Sequence, residues 1–134
     1  MTGLLALVLF CWAAPVAEII HVVDGDTVDL RLAVWAGSLR EYPLSIVERV
    51  RLIGVDTPER HGATRDAGNA ARAFTAAWLS QHRASLTVWT CRRDSFGRLL
   101  GGIAADGQTL ASALLLSGHA VIYERGQLIP DVER

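Results

Sequence analysis

The clearest alternation of apolar and polar positions lies at residues 18–35, EIIHVVDGDTVDLRLAVW, and is typical of half-buried β-strands. It breaks at Asp24-Gly25, a dipeptide that favours a turn or bulge between two strands. A third strand is predicted at residues 49–56 and should end before Pro58, because proline has no N–H to donate to a strand ladder. The polar, irregular residues 36–48 between the second and third strands are expected to form a long hairpin loop.

Two segments are predicted to be helical. Within residues 66–82 the apolar residues repeat with helical spacing and form one stripe. The stripe consists of Ala67, Ala71, Phe74 and Trp78. The shorter segment TLASALLLSG has Thr109 as a candidate N-cap and Gly118 just past its end.

The remaining strand patterns determine the predicted fold class. Residues 85–91 and 98–105 read as two strands joined by the turn RRDSFG. The order is therefore three strands, a helix, two strands and a second helix, which does not alternate as a doubly wound sheet requires. Five short strands with a helix after the third predict an α+β fold, a closed five-stranded OB-fold β-barrel with packed helices.

The largest shift in composition is the apolar segment LLALVLFCWAAPVA at residues 4–17. It is short for a membrane span, and its length suits the apolar core of a secretory signal with cleavage near Ala14 or Ala17. We therefore expect a signal segment at residues 1–17, one domain at residues 18–134, and a secreted or periplasmic protein. The alternatives are an ordered N-terminal helix and a membrane tether formed by residues 4–17.

The chain has two cysteines, Cys11 and Cys91. Neither has a partner at metal-ligand spacing, which argues against a zinc site. They can form a disulfide only if the N-terminal segment remains on the mature protein. Cys91, at a strand end with no histidine in its motif, is expected to be a buried or free thiol rather than a nucleophile.

Charged side chains concentrate at two predicted strand ends, whereas the whole chain has a formal net charge of only −1 at pH 7. That balance argues against a protein that coats nucleic acid through bulk electrostatics. The acidic and hydroxyl residues are Asp24 and Asp26 at the first turn, and Asp56, Thr57 and Glu59 after the third strand. Neighbouring carboxylates repel one another unless a cation separates them, and a hard divalent cation prefers oxygen ligands. Arg51 and Arg98 can then direct fork-shaped donors at a phosphate.

Three segments, in this order around an alanine-rich helix, closely resemble the staphylococcal nuclease (thermonuclease) family: VVDGDTV, VRLIGVDTPE and DSFGRLLGGI. The resemblance covers roughly residues 18–121. It implies an OB-fold barrel with packed helices and calcium-dependent hydrolysis of DNA and RNA that leaves 3′-phosphate ends. The substrate partners would be DNA and RNA, and no stable protein partner is implied, so we expect a monomer.

The resemblance also implies roles for individual residues. Asp26 and Asp56 would bind Ca²⁺ through their carboxylates, Thr57 would contribute its backbone carbonyl, and Asp24 would support these ligands. Glu59 would be the general base that activates water. Arg51 and Arg98 would grip the scissile phosphate. These roles agree with the chemistry of phosphodiester hydrolysis, which builds negative charge on the phosphate oxygens.

Two aromatic residues are weaker candidates for substrate contacts. Phe96 stands where the family often has tyrosine, and it would either stack on a base or simply pack. Tyr123 falls near the position of the aromatic residues that line the nucleotide pocket in the family. The alternative is that its ring closes the barrel. Ser95 replaces a common lysine, so one phosphate contact of the family is expected to be missing.

A competing prediction is an OB-fold nucleic-acid-binding module with weak or no activity. The presence of Asp26, Arg51, Asp56, Glu59 and Arg98 argues against it, because a pure binder needs neither both arginines nor the glutamate. Family members usually continue with a third C-terminal helix, and residues 125–134 are expected to be too short for one.

Overall fold

The computed structural model describes residues 11–34 and 44–124, together with the backbone of residues 127–128. Five strands form the main sheet: β1 (Trp12–Asp24), β2 (Thr27–Val34), β3 (Leu44–Leu52), β5 (Thr87–Arg93) and β6 (Leu99–Ala105). Neighbours in the order β3-β2-β1-β5-β6 are antiparallel. A parallel pairing of β3 with β6 closes the barrel. The structure thus confirms the predicted α+β OB-fold.

The other elements lie at the rim of the barrel or outside it. They are β4 (Val55–Asp56), α1 (Arg65–Gln81), β7 (Gln108–Thr109), α2 (Leu110–Leu116), β8 (Val121–Glu124) and β9 (Gln127–Leu128), with 3₁₀ turns at Gly62–Thr64 and Arg83–Ser85. β4 pairs with β8, and β8 with β9. The pattern reading did not predict β7, β8 or β9, because strands of two to four residues carry too few positions to show a period.

The barrel interior is apolar because alternate strand residues point inward. Along β2 the fully buried residues Val28, Leu30 and Leu32 alternate with partly exposed ones. Leu79 of α1 and Leu114 of α2 belong to the same core cluster, so both helices cover the barrel.

Both predicted helices exist, but the predicted stripe of α1 is partly wrong. Ala67 is exposed, whereas Gly68 and Thr75 are buried along with Ala71 and Trp78. Apolar periodicity missed these two because glycine and threonine do not count as apolar. Gly68 packs against the backbone of Glu59, and Thr75 donates a hydrogen bond to the carbonyl of Gly25. For α2 the prediction is confirmed, since the Thr109 hydroxyl accepts a hydrogen bond from the N–H of Ser112.

The first strand begins at Trp12 rather than at Glu18 as predicted. Ala14 lies opposite Val88 of β5 and is only 4% exposed. A disulfide joins Cys11 to Cys91, so the prediction of a buried or free thiol at Cys91 is wrong. Part of the segment at residues 4–17 is thus barrel, while residues 1–10 lie outside the described residues. Cleavage of the N-terminal segment, and export or membrane tethering of the protein, remain predictions.

The predicted loop at residues 36–48 is shorter than expected, because β3 already begins at Leu44. The first residue of β3, Leu44, pairs with Val34 of β2, and the ladder between the two strands continues from there. The rest of that loop, residues 35–43, lies outside the described residues. Within the described ranges, no helix has the length and apolar character needed to cross a membrane.

Candidate active site

Closure of the barrel brings distant sequence motifs together at one corner. Arg51 of β3 pairs with Thr27 on one side and with Leu100 of β6 on the other. The N–H of Leu52 donates to the carbonyl of Asp26 over 2.9 Å. As a result Asp26, which precedes β2, and Arg98, which precedes β6, both lie next to Arg51.

The Arg51 guanidinium is held on both of its terminal nitrogens. Nη1 donates to the carbonyls of Leu52 (2.6 Å) and Val55 (2.8 Å). Nη2 donates to Oδ1 of Asp56 at 3.1 Å and lies 3.5 Å from Oδ2 of Asp26. These contacts explain why an arginine lies within the apolar strand β3. Its guanidinium fixes the turn after β3 and bridges the carboxylates of Asp26 and Asp56.

The Asp26 carboxylate is buried and fully engaged. Its Oδ1 accepts a hydrogen bond from the Thr27 hydroxyl (2.9 Å), and its Oδ2 accepts one from the backbone N–H of Thr57 (3.0 Å). These bonds link the start of β2 to the end of β4. The second of these bonds fixes the backbone of Thr57, which lies between Asp56 and Glu59 in the sequence.

Asp56 is more open, with 49% of its side chain exposed. Partial burial raises the pKa of Asp56, and the charges of Asp26 and Glu59 raise it further, while Arg51 opposes them. Such mutual repulsion is what a bound cation relieves. The donors here, two carboxylates and the Thr57 carbonyl, are the oxygens that Ca²⁺ or Mg²⁺ prefers, so they fit a hard divalent cation. Among the described residues, no three acidic, histidine or cysteine side chains are arranged closely enough to hold a metal ion by themselves.

Glu59 follows β4 by three residues and is exposed, with 74% of its side chain open to solvent. It is not among the residues that line the cleft described below. Nδ1 of His61 lies 3.9 Å from Oε2 of Glu59. The Glu59 backbone, by contrast, is held firmly: the Thr64 hydroxyl donates to the Glu59 carbonyl over 2.8 Å. A Cβ on Gly68 would lie only 2.4 Å from the same carbonyl oxygen, so α1 rests directly on the Glu59 backbone.

Arg98 is oriented by the turn that precedes β6. Its Nε donates to Oδ2 of Asp94 over 2.7 Å, and its Cζ lies 5.2 Å from the ring centroid of Phe96. Burial opposes ionisation of Asp94, but hydrogen bonds from Arg98 and from the Phe96 N–H outweigh it, so the pKa of Asp94 lies below its usual value. Asp94 therefore stays ionised near neutral pH and holds Arg98 in place. The sequence reading missed Asp94.

The two arginines open into a cleft of about 710 Å³ between the β5–β6 turn and β8. Its lining includes Arg51, Asp56, Arg92, Asp94, Phe96, Arg98, Tyr123 and Glu124. Phe96 is 82% exposed, so it is not a packing residue. Tyr123 is partly buried and does line the cleft. Asp24 is not among the lining residues. The hydrogen bond to Asp29 raises the pKa of Arg49, and the charge of Asp24 adds to this effect.

Helix α1 supports the turn that carries Asp26. The Thr75 hydroxyl donates to the Gly25 carbonyl over 2.6 Å, and Arg72 and Arg60 donate to the carbonyls of Val22 and Val23. A Cβ on Gly25 would come within 2.8 Å of the Ala71 side chain, so the close approach of helix and turn requires glycine. No local pattern signals these contacts, because each joins residues far apart in the chain.

Comparison with known proteins gives one clear relationship. A search of curated proteins gave no match. The family model described as staphylococcal nuclease homologue matches residues 49–131, more than half of the chain. The matched stretch contains Arg51, Asp56, Glu59 and Arg98, while Asp26 precedes it and joins them only through the barrel. On this match and on the OB-fold barrel, the chain belongs to the staphylococcal nuclease homologue family.

Proposed function

We propose that this protein is a Ca²⁺-dependent nuclease that hydrolyses phosphodiester bonds in DNA and RNA and leaves 3′-phosphate ends. The family relationship supports nuclease chemistry on nucleic acid. The metal dependence and the cleavage chemistry are supported by the surroundings of Arg51. One guanidinium nitrogen of Arg51 lies within 3.5 Å of both Asp26 and Asp56, and Arg51 lines the same cleft as Arg98.

The arginines stabilise the charge that develops on the phosphate. Arg51 cannot swing away, because two carbonyls hold its Nη1, and Arg98 is fixed by Asp94. Donors that are already oriented need no reorganisation when the transition state forms, and this is the main source of electrostatic catalysis. The five-donor fork of each arginine also suits the geometry of a phosphate.

Glu59 takes the proton from the attacking water. Its exposed carboxylate is open to solvent, as a base that must collect water requires. The water oxygen bonds to phosphorus, the bond from phosphorus to the 5′ oxygen breaks, and the proton on Glu59 can return to the departing oxygen. Asp26, Asp56 and the Thr57 carbonyl would hold a divalent cation, which would supply Lewis acidity to the reaction.

The test is cleavage of single-stranded DNA and of RNA by the purified full-length chain, first with Ca²⁺ and then with excess chelator. We expect cleavage that requires Ca²⁺ and products that carry 3′-phosphate ends. Products with 5′-phosphate ends would contradict the assigned leaving group, and cleavage in chelator would contradict the metal requirement. A folded protein that binds oligonucleotides without cutting them would show a binding module instead.

A further inference from the structure

The cleft contains a third arginine for which the proposed mechanism has no use. Arg92 is exposed and lines the cleft together with Arg51 and Arg98. Arg51 and Arg98 are both held by carboxylates. The Arg92 side chain, in contrast, makes no hydrogen bond or ion pair with any other residue in the described parts of the chain. A free guanidinium in a substrate cleft is available for an anionic ligand.

A β-bulge directs Arg92 into the cleft. The ladder between β5 and β6 shifts register between Thr90 and Arg92, so Cys91 is the extra residue. The buried hydroxyl of Thr90 bridges the carbonyls of Arg92 (3.0 Å) and Leu100 (2.9 Å), and the disulfide to Cys11 anchors Cys91 itself. Bulges beside active sites commonly re-aim a side chain in this way.

The next residue shows that this orientation is specific. Arg93 makes a bidentate ion pair with Glu48, at 2.8 and 2.7 Å, and donates to the carbonyl of Gly97. Its role is therefore to tie β5 to β3 and to the following turn. Of the two adjacent arginines, Arg93 is paired with Glu48, whereas Arg92 lies in the cleft.

The pairing of the strands gives the distance from the catalytic corner. Arg92 on β5 and Arg51 on β3 both pair with Leu100, from opposite sides of β6. Two strand spacings place their backbones about 10 Å apart. The Arg51 fork is held by its own carbonyls, so Arg92 does not share its immediate site. Arg92 is therefore available to a second, neighbouring phosphate of a strand whose scissile phosphate lies at Arg51.

We infer that Arg92 binds a backbone phosphate adjacent to the scissile phosphate, and that it makes the enzyme prefer a strand with more than one phosphate. This inference rests on the proposed function for the identity of the polymer. Phe96, exposed in the same cleft, offers a stacking surface for the base of that nucleotide. Because Ser95 carries no charge, Arg92 supplies the additional phosphate contact from a different strand.

The test compares Arg92→Gln with Arg83→Gln, which removes one charge from an exposed arginine outside the cleft. Binding of fluorescent octathymidylate is measured by anisotropy in chelator, where the strand stays intact, across a salt series. Each phosphate contact in a single strand contributes about 0.7 to the slope of log affinity against log salt. We expect Arg92→Gln to weaken binding about three- to tenfold at low salt and to lower the slope by about 0.7. Arg83→Gln should leave the slope unchanged.

A kinetic measurement separates this role from catalysis. With Ca²⁺ present, Arg92→Gln should raise KM for the octanucleotide about three- to tenfold and leave kcat within about twofold. An equal loss of slope in both variants, no loss in Arg92→Gln, or a fall in kcat at constant KM would each overturn the inference. If the wild type binds but never cuts, the proposed nuclease function fails, and the anisotropy comparison still decides the role of Arg92.

Discussion

The candidate site has an enclosed inner corner and an exposed outer part, here called the rim, which differ in how firmly their side chains are held. At the inner corner, Arg51 and Asp26 are nearly enclosed, and their contacts are made by backbone groups, by a charged partner and by the Thr27 hydroxyl. At the rim, Glu59 and Phe96 are exposed side chains on firmly held backbone. The corner is thus preorganised for charge, whereas the rim remains accessible to water and to the bases of a strand.

This difference teaches where substitutions should affect folding and where they should affect only turnover. A side chain with several buried partners contributes to stability as well as to chemistry. A side chain in solvent contributes to chemistry alone, provided that its backbone stays in place. The following predictions test this division, from the largest expected effect to the smallest.

Glu59→Gln should lower kcat by about 10²- to 10⁴-fold, because the amide cannot accept the proton from water. Its free energy of unfolding should change by less than about 0.5 kcal/mol, since an exposed side chain is replaced by one of the same shape. Single-turnover kinetics and urea unfolding measure the two quantities. Glu18→Gln, which alters an exposed carboxylate paired with Arg31, is the matched control and should keep full activity. Turnover near wild-type in Glu59→Gln would rule out its role as base.

Arg51→Lys should lower kcat/KM by about 10²- to 10³-fold although it keeps the charge, because an ammonium cannot fork the phosphate. Unlike Glu59→Gln, it should also destabilise the fold by about 1–3 kcal/mol, because the buried carbonyls of Leu52 and Val55 lose their donors. Arg49→Lys is the control: it makes the same change at a bidentate pair with Asp29 on the outer surface. Equal effects of the two substitutions would contradict a special role for the corner.

Gly68→Ala tests whether the rim depends on α1. The added methyl group meets the Glu59 carbonyl, so the Glu59 backbone must move. We expect kcat to fall about tenfold, in the range where small misplacements of a reacting group already cost activity. The free energy of unfolding should fall by about 1–3 kcal/mol, although alanine is the better helix former. Retained kcat would show that the position of the Glu59 backbone does not control its function.

The control is Ala70→Gly, at an exposed position of the same helix. It should lower the free energy of unfolding by about 1 kcal/mol and leave the activity unchanged.

The far end of α1 should influence stability without altering either the inner corner or the rim. There Nδ1 of His82 lies 2.8 Å from Oδ2 of Asp106, and the hydrogen bonds from His82 and Ser85 lower the pKa of Asp106. A depressed carboxyl pKa stabilises the fold above the unfolded-state value of about 3.9 and loses that contribution as pH falls below it. Asp106→Asn tolerates the positive φ of 52° at this turn and removes the titration.

Urea unfolding at several pH values checks this prediction. The wild type should lose stability more steeply than Asp106→Asn as the pH falls from about 4 towards 2. Catalytic activity at neutral pH should be the same in both proteins. Parallel stability profiles would show that the His82–Asp106 contact adds no pH dependence to folding.

The fold could be predicted from the sequence to a large extent because its signals are local. Alternation located β2, flanking turn signals located β6, helical spacing located α1, and Thr109 with Gly118 bounded α2. The start of β1 could not be predicted in this way. Residues 12–17 are apolar throughout, since they pair with β5 in the barrel, and such a composition is also typical of a secretory signal.

The candidate site was predicted through its motif, and its supports were not. Arg51, Asp56 and Glu59 lie within nine residues of one another in the sequence, so a short pattern contains them. Gly68, Thr75 and Arg92 have no such pattern, and Asp94 lies in the quoted segment DSFGRLLGGI without any local sign that it holds Arg98. Each acquires its role from a partner brought close by the barrel, as Gly68 does from the Glu59 carbonyl.

The sequence by itself determined the order of strands and helices and the chemical types of side chain at the strand ends. Those features depend on contacts within a few residues: alternation, helix caps, and a proline that ends a strand. Only the tertiary structure decided that Arg51 bridges Asp26 and Asp56, that Cys11 reaches Cys91, and that Arg92 rather than Arg93 lies in the cleft. Each of these depends on strand register and barrel closure, which arise from pairings between residues far apart in the chain.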